Sequence, residues 1–232
     1  MKPENVSLRI AIALAMGIAV AVTAMTSPLL LRMAEDNWVP PSFVTHTLML
    51  IISVVLMTLL SKGRLSSYGF TRGSFRMTPT IILWIIPTSF LSVLQFVAMR
   101  FGGLKSDMFN LSHAQVILFV WIYASICEEV FVRGLLQGYL FPLGQYKVTL
   151  FRKWPLSVPV LIGGFFFGAM HIVLWPKMGP LAIMPMSLAT GLGVVNGYYR
   201  EKTGSLIPAI LIHSLFNIGG SLPLWVLIAW TT

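Results

Sequence analysis

Six residues carry the chemistry legible in this chain: Glu128, Glu129 and Arg133 in CEEVFVRG, His171 closing FFFGAMH, and His213 and Asn217 in IHSLFN. All six lie in apolar runs. Of the seven acidic residues, Glu4, Glu35, Asp36, Asp107 and Glu201 fall in the N-terminal tail or in loops, so only Glu128 and Glu129 are expected within a span. Arg133 is the one basic residue placed as deep. An ionisable group at the centre of a membrane helix costs about 2.5–3.5 kcal/mol on insertion scales, and by default it marks function.

Helical geometry separates the two acids. Glu129 and Arg133 are four residues apart with the acid first, the favoured order for an ion pair on one helix face. Glu128 is turned about 100° from Glu129 by the helical pitch, and its own i+4 position is Val132. The pair can neutralise itself, whereas Glu128 needs a partner on another helix. His171 and His213 lie within apolar spans, and Asn217, four after His213, shares its face. Either histidine alone could serve as an interhelical hydrogen bond; with Glu128 and Asn217, on three different helices, they read as one site. His46 and His113 fall near span ends and read as interfacial.

Such a set permits specific chemistry. A carboxylate held away from bulk water suits a general base acting on a water molecule. Two imidazoles and a carboxylate (Glu128, His171, His213) could also hold one divalent metal such as zinc, with a position open for water. Asn217 and one histidine could instead donate to the oxyanion of a tetrahedral intermediate. All three roles converge on hydrolysis of an acyl bond, foremost a peptide. Other hydrolase designs are missing: there is no HExxH, neither Asp36 nor Asp107 lies in a span, and no serine has a GxSG setting.

The elements that must position these residues are membrane helices. Of 232 residues 56% are hydrophobic and 10% charged, with a mean hydropathy of +0.84; soluble domains carry roughly 25% charged residues. One integral-membrane domain over 1–232 is expected, all-α, a polytopic transmembrane bundle of about seven or eight spans. Runs of the roughly 20 residues needed to cross lie near 8–31, 44–61, 78–99, 113–142, 156–174, 179–199 and 206–230. The first is read as a retained helix rather than a cleaved signal peptide, and the last could break at Gly219, Gly220 and Pro223.

With the N-terminus in the cytoplasm of a multi-pass cell-membrane protein, Lys2, Arg9, Lys62, Arg64, Arg72, Arg76, Lys147, Arg152, Lys153, Arg200 and Lys202 face inward. Arg32, Arg100, Lys105 and Lys177 face outward, an asymmetry that fits the positive-inside rule. The net charge of +9 is therefore assigned to the lipid bilayer and not to nucleic acid. KVTLFRKW, 147 to 154, reads as an interfacial loop. GLGVVNG, 191 to 197, reads as a packing face through Gly193 and Gly197 and not as a dinucleotide loop. Counting along the spans puts His171 near an outer helix end and His213 near an inner one. A common site for the two requires tilted or broken helices.

EEVFVR (128–133), FGAMH (167–171) and HSLFN (213–217) follow the patterns EExxxR, FxxxH and HxxxN. In order and spacing they resemble the CAAX prenyl protease and bacteriocin-processing family of intramembrane endopeptidases, the type II CAAX protease group. The resemblance covers a core from about 110 to 230. It implies a helical bundle with a conical cavity reached from the membrane, in which activated water hydrolyses a peptide or the tail of a membrane protein. By motif position it implies that Glu128 activates the water with help from His171. His213 and Asn217 would stabilise the oxyanion, and Glu129 with Arg133 would keep the helices in register. It does not carry over a prenylated substrate or a zinc ion. A non-catalytic peptide-binding or bacteriocin-immunity protein using the same cavity is the alternative, with a proton-coupled transporter ranked after it.

Overall fold

The computed structural model describes residues 3–30, 38–73, 86–90, 93–94, 97, 111–150 and 154–231. Its long helices are α1 (Pro3–Leu30), α2 (Pro41–Ser61), α3 (His113–Leu143), α4 (Val158–Met170), α5 (Ile183–Thr203) and α6 (Ile207–Thr231).

Local sequence sets most helix ends. Pro41 opens α2 at its first position, where a missing N–H costs nothing and the fixed φ already suits a helix. Ser112 and Gln115 form a capping box at the start of α3, each supplying an acceptor to the other's backbone N–H. Ser157 caps α4 by accepting from the Val160 N–H. At its C-terminus α5 stops at Gly204, whose φ of 72° is left-handed and favours a residue without Cβ.

The bundle is built around α3, which packs against all five other long helices. Its stretch Val130–Leu136, apolar except for Arg133, is buried at every position. Met49 and Met57 of α2, Val20 of α1, Phe167 of α4, Leu192 of α5 and Ile212 of α6 complete the core around it. Outward faces remain apolar: Leu59, Phe165 and Ile18 are among the large exposed side chains, a surface suited to lipid rather than water.

Four segments among the described residues are long and apolar enough to cross a membrane: Asn5–Pro28, Pro41–Ser61, His113–Leu143 and Gly179–Thr203. Val158–Leu174 and Ile207–Pro223 are shorter apolar helices. The expected span over 78–99 lies mostly outside the described residues, as do Asp107, Glu35 and Asp36. The last segment does not break at its glycines. It runs as one helix with Pro223 inside it, and Ser221 Oγ donates to the Asn217 carbonyl one turn earlier at 2.8 Å.

The interfacial loop expected at 147–154 is instead part of a hairpin. β1 (Lys147–Leu150) pairs antiparallel with β2 (Trp154–Ser157), in a register that sets Lys147 opposite Ser157 and Leu150 opposite Trp154. Val148, Thr149 and Trp154 have the branched and aromatic side chains that suit a pleated strand. At this end of the bundle Ser157 donates to Glu201, Lys147 lies 3.9 Å from Glu201, and Arg200 reaches the Ser67 carbonyl. Arg9, Lys62 and Arg64 line one cavity nearby. Basic residues assigned to one side by charge counting are thus neighbours in the fold.

Helices α4 and α5 approach closely through glycine, as expected of Gly193 and Gly197. A Cβ on Gly193 would lie 2.8 Å from the Gly164 Cα, and one on Gly197 would lie 3.2 Å from Gln137 Oε1. A Cβ on Gly168 would overlap Thr190 Oγ1 and come within 2.7 Å of the Met186 carbonyl oxygen, whereas one on Gly191 meets nothing within 4 Å. Overpacking a tight contact costs about 1–3 kcal/mol. Gly168→Ala is therefore expected to lower the unfolding temperature of the detergent-purified protein. Gly191→Ala should leave it unchanged or slightly raised.

Candidate active site

The two adjacent glutamates face different company. Glu129, completely buried, is held by three helices. Its Oε2 lies 3.1 Å from Arg133 Nε within α3. Its Oε1 meets His213 Nδ1 from α6 at 2.8 Å and accepts from Asn196 Nδ2 of α5 at 2.9 Å. Arg133 is also fully buried, and its guanidinium lies over the Phe167 ring of α4 at 4.7 Å. Glycine at 193 admits that guanidinium, since a Cβ there would stand 3.0 Å from Arg133 Nη2. Four helices therefore meet on one ion pair.

Glu128 points away from this pair, as its position one residue earlier requires. Its side chain is 18% exposed, whereas that of Glu129 is fully covered. Oε1 lies 3.1 Å from His46 Nε2 on α2, and Oε2 lies 3.7 Å from His213 Nε2. The second distance is too long for a direct hydrogen bond and leaves Oε2 less engaged than Oε1. His213 thus stands between the two acids, bonded to Glu129 through Nδ1 and turned toward Glu128 through Nε2.

His171 sits where α4 unwinds into the 3-10 turn His171–Leu174. Its Nδ1 donates to the Phe167 carbonyl at 2.9 Å, which makes Nε2 the acceptor nitrogen of a neutral ring. Phe167 packs edge-on against both the His171 and the His213 ring, with centroids 5.2 and 5.5 Å away. The break in α4 and this shared aromatic contact bring the two histidines to one level despite their positions at opposite helix ends. His171 is also near enough to interact electrostatically with Glu128.

Asn217 departs from its expected place. Its amide donates to the Val120 carbonyl at 3.0 Å and to Ser125 Oγ at 3.1 Å, both on α3. Val120 lies in the π-wound stretch Val116–Ala124, and such widened turns commonly mark functional helices. A second π-wound stretch, Val130–Leu136, lies on the other side of the two glutamates. In this arrangement Asn217 ties α6 to α3 instead of facing Glu128.

Two residues of the site were not read from the sequence. His46 was assigned to an interface because hydropathy began the second span at 44; the proline pair Pro40–Pro41 marks the true start, which puts His46 in the second turn. Asn196 was passed over inside a glycine packing face, although an amide in so apolar a run needs a partner. His113 does lie at a helix end, with its ring against Trp225.

The residues named for a metal are Glu128, His171 and His213. Among the described residues, no group of three or more His, Cys, Asp or Glu side chains is disposed to hold an ion. Glu128 is shared between His46 and His213, and Nδ1 of His213 is committed to Glu129. Two cavities, of about 580 Å³ beside Arg9 and about 300 Å³ between α4 and α5, do not include Glu128.

Breaking a buried ion pair from one side costs about 3–5 kcal/mol, because the remaining charge is left uncompensated. Arg133→Met is thus expected to deplete folded protein in the membrane. Adding Glu129→Gln to it should restore much of the loss, because the amide oxygen still accepts from His213 and Asn196. Size-exclusion chromatography of detergent extracts measures both amounts.

Residues 110–219 match a family model described as type II CAAX prenyl endopeptidase, Rce1-like. The matched segment contains Glu128, Glu129, Arg133, His171, His213 and Asn217, and leaves α1 and α2 outside. No curated protein and no solved structure matches the chain. With EExxxR, FxxxH and HxxxN in order and their side chains gathered on apolar helices, the segment 110–219 is similar to the type II CAAX prenyl endopeptidase family.

Proposed function

We propose that this protein is an intramembrane endopeptidase that uses Glu128 to activate water against a peptide bond in a peptide or in the tail of a membrane protein. The observation carrying this reading is the contrast between the acids. Glu129 is spent on Arg133, His213 and Asn196, whereas Glu128 is partly exposed and its Oε2 has no partner nearer than 3.7 Å among its ion-pair contacts.

The reaction needs one base and one stabiliser of negative charge. Glu128 takes a proton from water through Oε2 as the water oxygen attacks the carbonyl carbon, and the carbonyl oxygen becomes an oxyanion. His171, with Nε2 as an acceptor, helps orient that water. His213 faces the same space through Nε2. As an imidazolium, with a hydrogen on each ring nitrogen, it donates through Nε2 to the oxyanion and through Nδ1 to Glu129, which supports the charge from behind. Asn217 joins in this role only by releasing Val120 or Ser125. When the carbon–nitrogen bond breaks, the proton on Glu128 passes to the leaving amine, giving a new carboxyl and a new amino terminus. The basic end, with Arg9, Lys62 and Arg200, faces the cytoplasm in this reading, in line with the positive-inside rule.

Loss of a general base lowers rates by about 10²–10⁴-fold. Glu128→Gln should therefore insert and fold at the wild-type level but produce none of the new peptide termini seen in membranes containing the wild-type protein. The check is mass spectrometry of labelled amino termini at matched expression. Equal termini from both proteins would remove Glu128 from the chemistry and leave a peptide-binding role for the site.

A further inference from the structure

The glutamate placed at the centre of the reaction is gripped by a residue that lies outside the matched family segment. His46 belongs to α2, and its two ring nitrogens are used in opposite directions. Nδ1 lies 2.6 Å from the Ser42 carbonyl oxygen one turn earlier. A carbonyl only accepts, so Nδ1 carries a hydrogen and the ring is fixed in rotation. Nε2 is thereby turned to Glu128 Oε1 at 3.1 Å, an acceptor to which it donates with the second hydrogen of an imidazolium. Both side chains are largely covered, with 15% of His46 and 18% of Glu128 exposed.

The seat of His46 is built by its neighbours. The adjacent Thr47 hydroxyl meets the Tyr123 hydroxyl of α3 at 2.8 Å. Phe43 stacks on Tyr123 with centroids 5.0 Å apart and packs edge-on against Phe119. Gln115 at the start of α3 donates to the Trp38 carbonyl just before α2. Deeper in the bundle Met57 lies against Gly134, where a Cβ would stand 3.2 Å from its sulfur. These contacts hold α2 on α3 above and below His46, so the imidazole meets the carboxylate with little freedom.

We infer that His46 is a positioning residue for Glu128: it binds Oε1, fixes the plane of the carboxylate, and leaves Oε2 aimed at the water. The inference rests on the endopeptidase reading above. It makes the N-terminal helices part of the active site and the segment 110–219 incomplete without them. A carboxylate bound at one oxygen cannot rotate freely between productive and unproductive poses, and orientation of this kind belongs to kcat more than to substrate binding.

The test uses full-length protein in detergent or vesicles. Its substrate is a synthetic peptide spanning the strongest wild-type-only cut found in the comparison with Glu128→Gln. His46→Ala and His46→Phe are expected to lower kcat by about 10- to 100-fold, the range for loss of an orienting partner, with KM within about twofold and folded protein unchanged. His46→Gln, whose amide can still donate to Oε1, is expected to recover most of kcat. Should His46→Ala destabilise the bundle, His46→Phe and His46→Gln preserve bulk and carry the comparison. Full kcat in His46→Phe, or equal kcat in His46→Phe and His46→Gln, overturns the positioning role while leaving Glu128 in place. Wild-type protein that cuts nothing, or Glu128→Gln that cuts normally, overturns the endopeptidase reading and this inference with it.

Discussion

The buried ion pair of Glu129 and Arg133 is the constraint on which the arrangement depends. Two opposite charges one helical turn apart in an apolar bundle must be compensated from within the protein. Glu129 Oε1 recruits His213 from α6 and Asn196 from α5, while Oε2 and Arg133 Nε are held by their mutual ion pair alone. Arg133 is accommodated by the Phe167 face and by the space that glycine leaves at 193. These contacts come from α4, α5 and α6, so accommodating the pair fixes the mutual placement of α3, α4, α5 and α6. Phe167 then sets the levels of His171 and His213, because it touches both rings.

Glu128 gains its character from the same event. Once Glu129 has fixed the rotation of α3, its predecessor must point toward α2 and toward the Nε2 side of His213. The helix that carries both acids can therefore separate a fully buried carboxylate from a partly exposed one without any insertion or loop. His213 links the two, being oriented by one glutamate and presented to the other, a use of the two ring nitrogens that recurs where an imidazole must be held in one tautomer.

The sequence revealed what depends on spacing along one helix and concealed what depends on where helices begin and cross. The Glu129–Arg133 pair follows from four-residue separation, and the isolation of Glu128 follows from the helical pitch. The close approach at Gly193 and Gly197 was legible because a run of small residues in an apolar helix has few other uses. His46 was lost to a span boundary drawn on hydropathy, which ignored the starting signal of Pro41. Asn196 was hidden by the glycines beside it. The hairpin at 147–157 escaped because four-residue strands next to charged residues resemble a membrane-surface loop. The level of His171 was legible only as a requirement for a tilted or broken helix; Pro176, which conflicts with the carbonyl four residues earlier, marks where α4 unwinds.

The division of labour between the two glutamates is tested most directly by thermal unfolding of the purified wild-type, Glu128→Gln and Glu129→Gln proteins side by side. The predicted result is an unfolding temperature for Glu128→Gln close to that of wild type, and a clear drop for Glu129→Gln, where Arg133 is left buried without its counter-charge. Equal drops, or a drop confined to Glu128→Gln, would contradict it, because the structural charge would then lie on the residue assigned to catalysis.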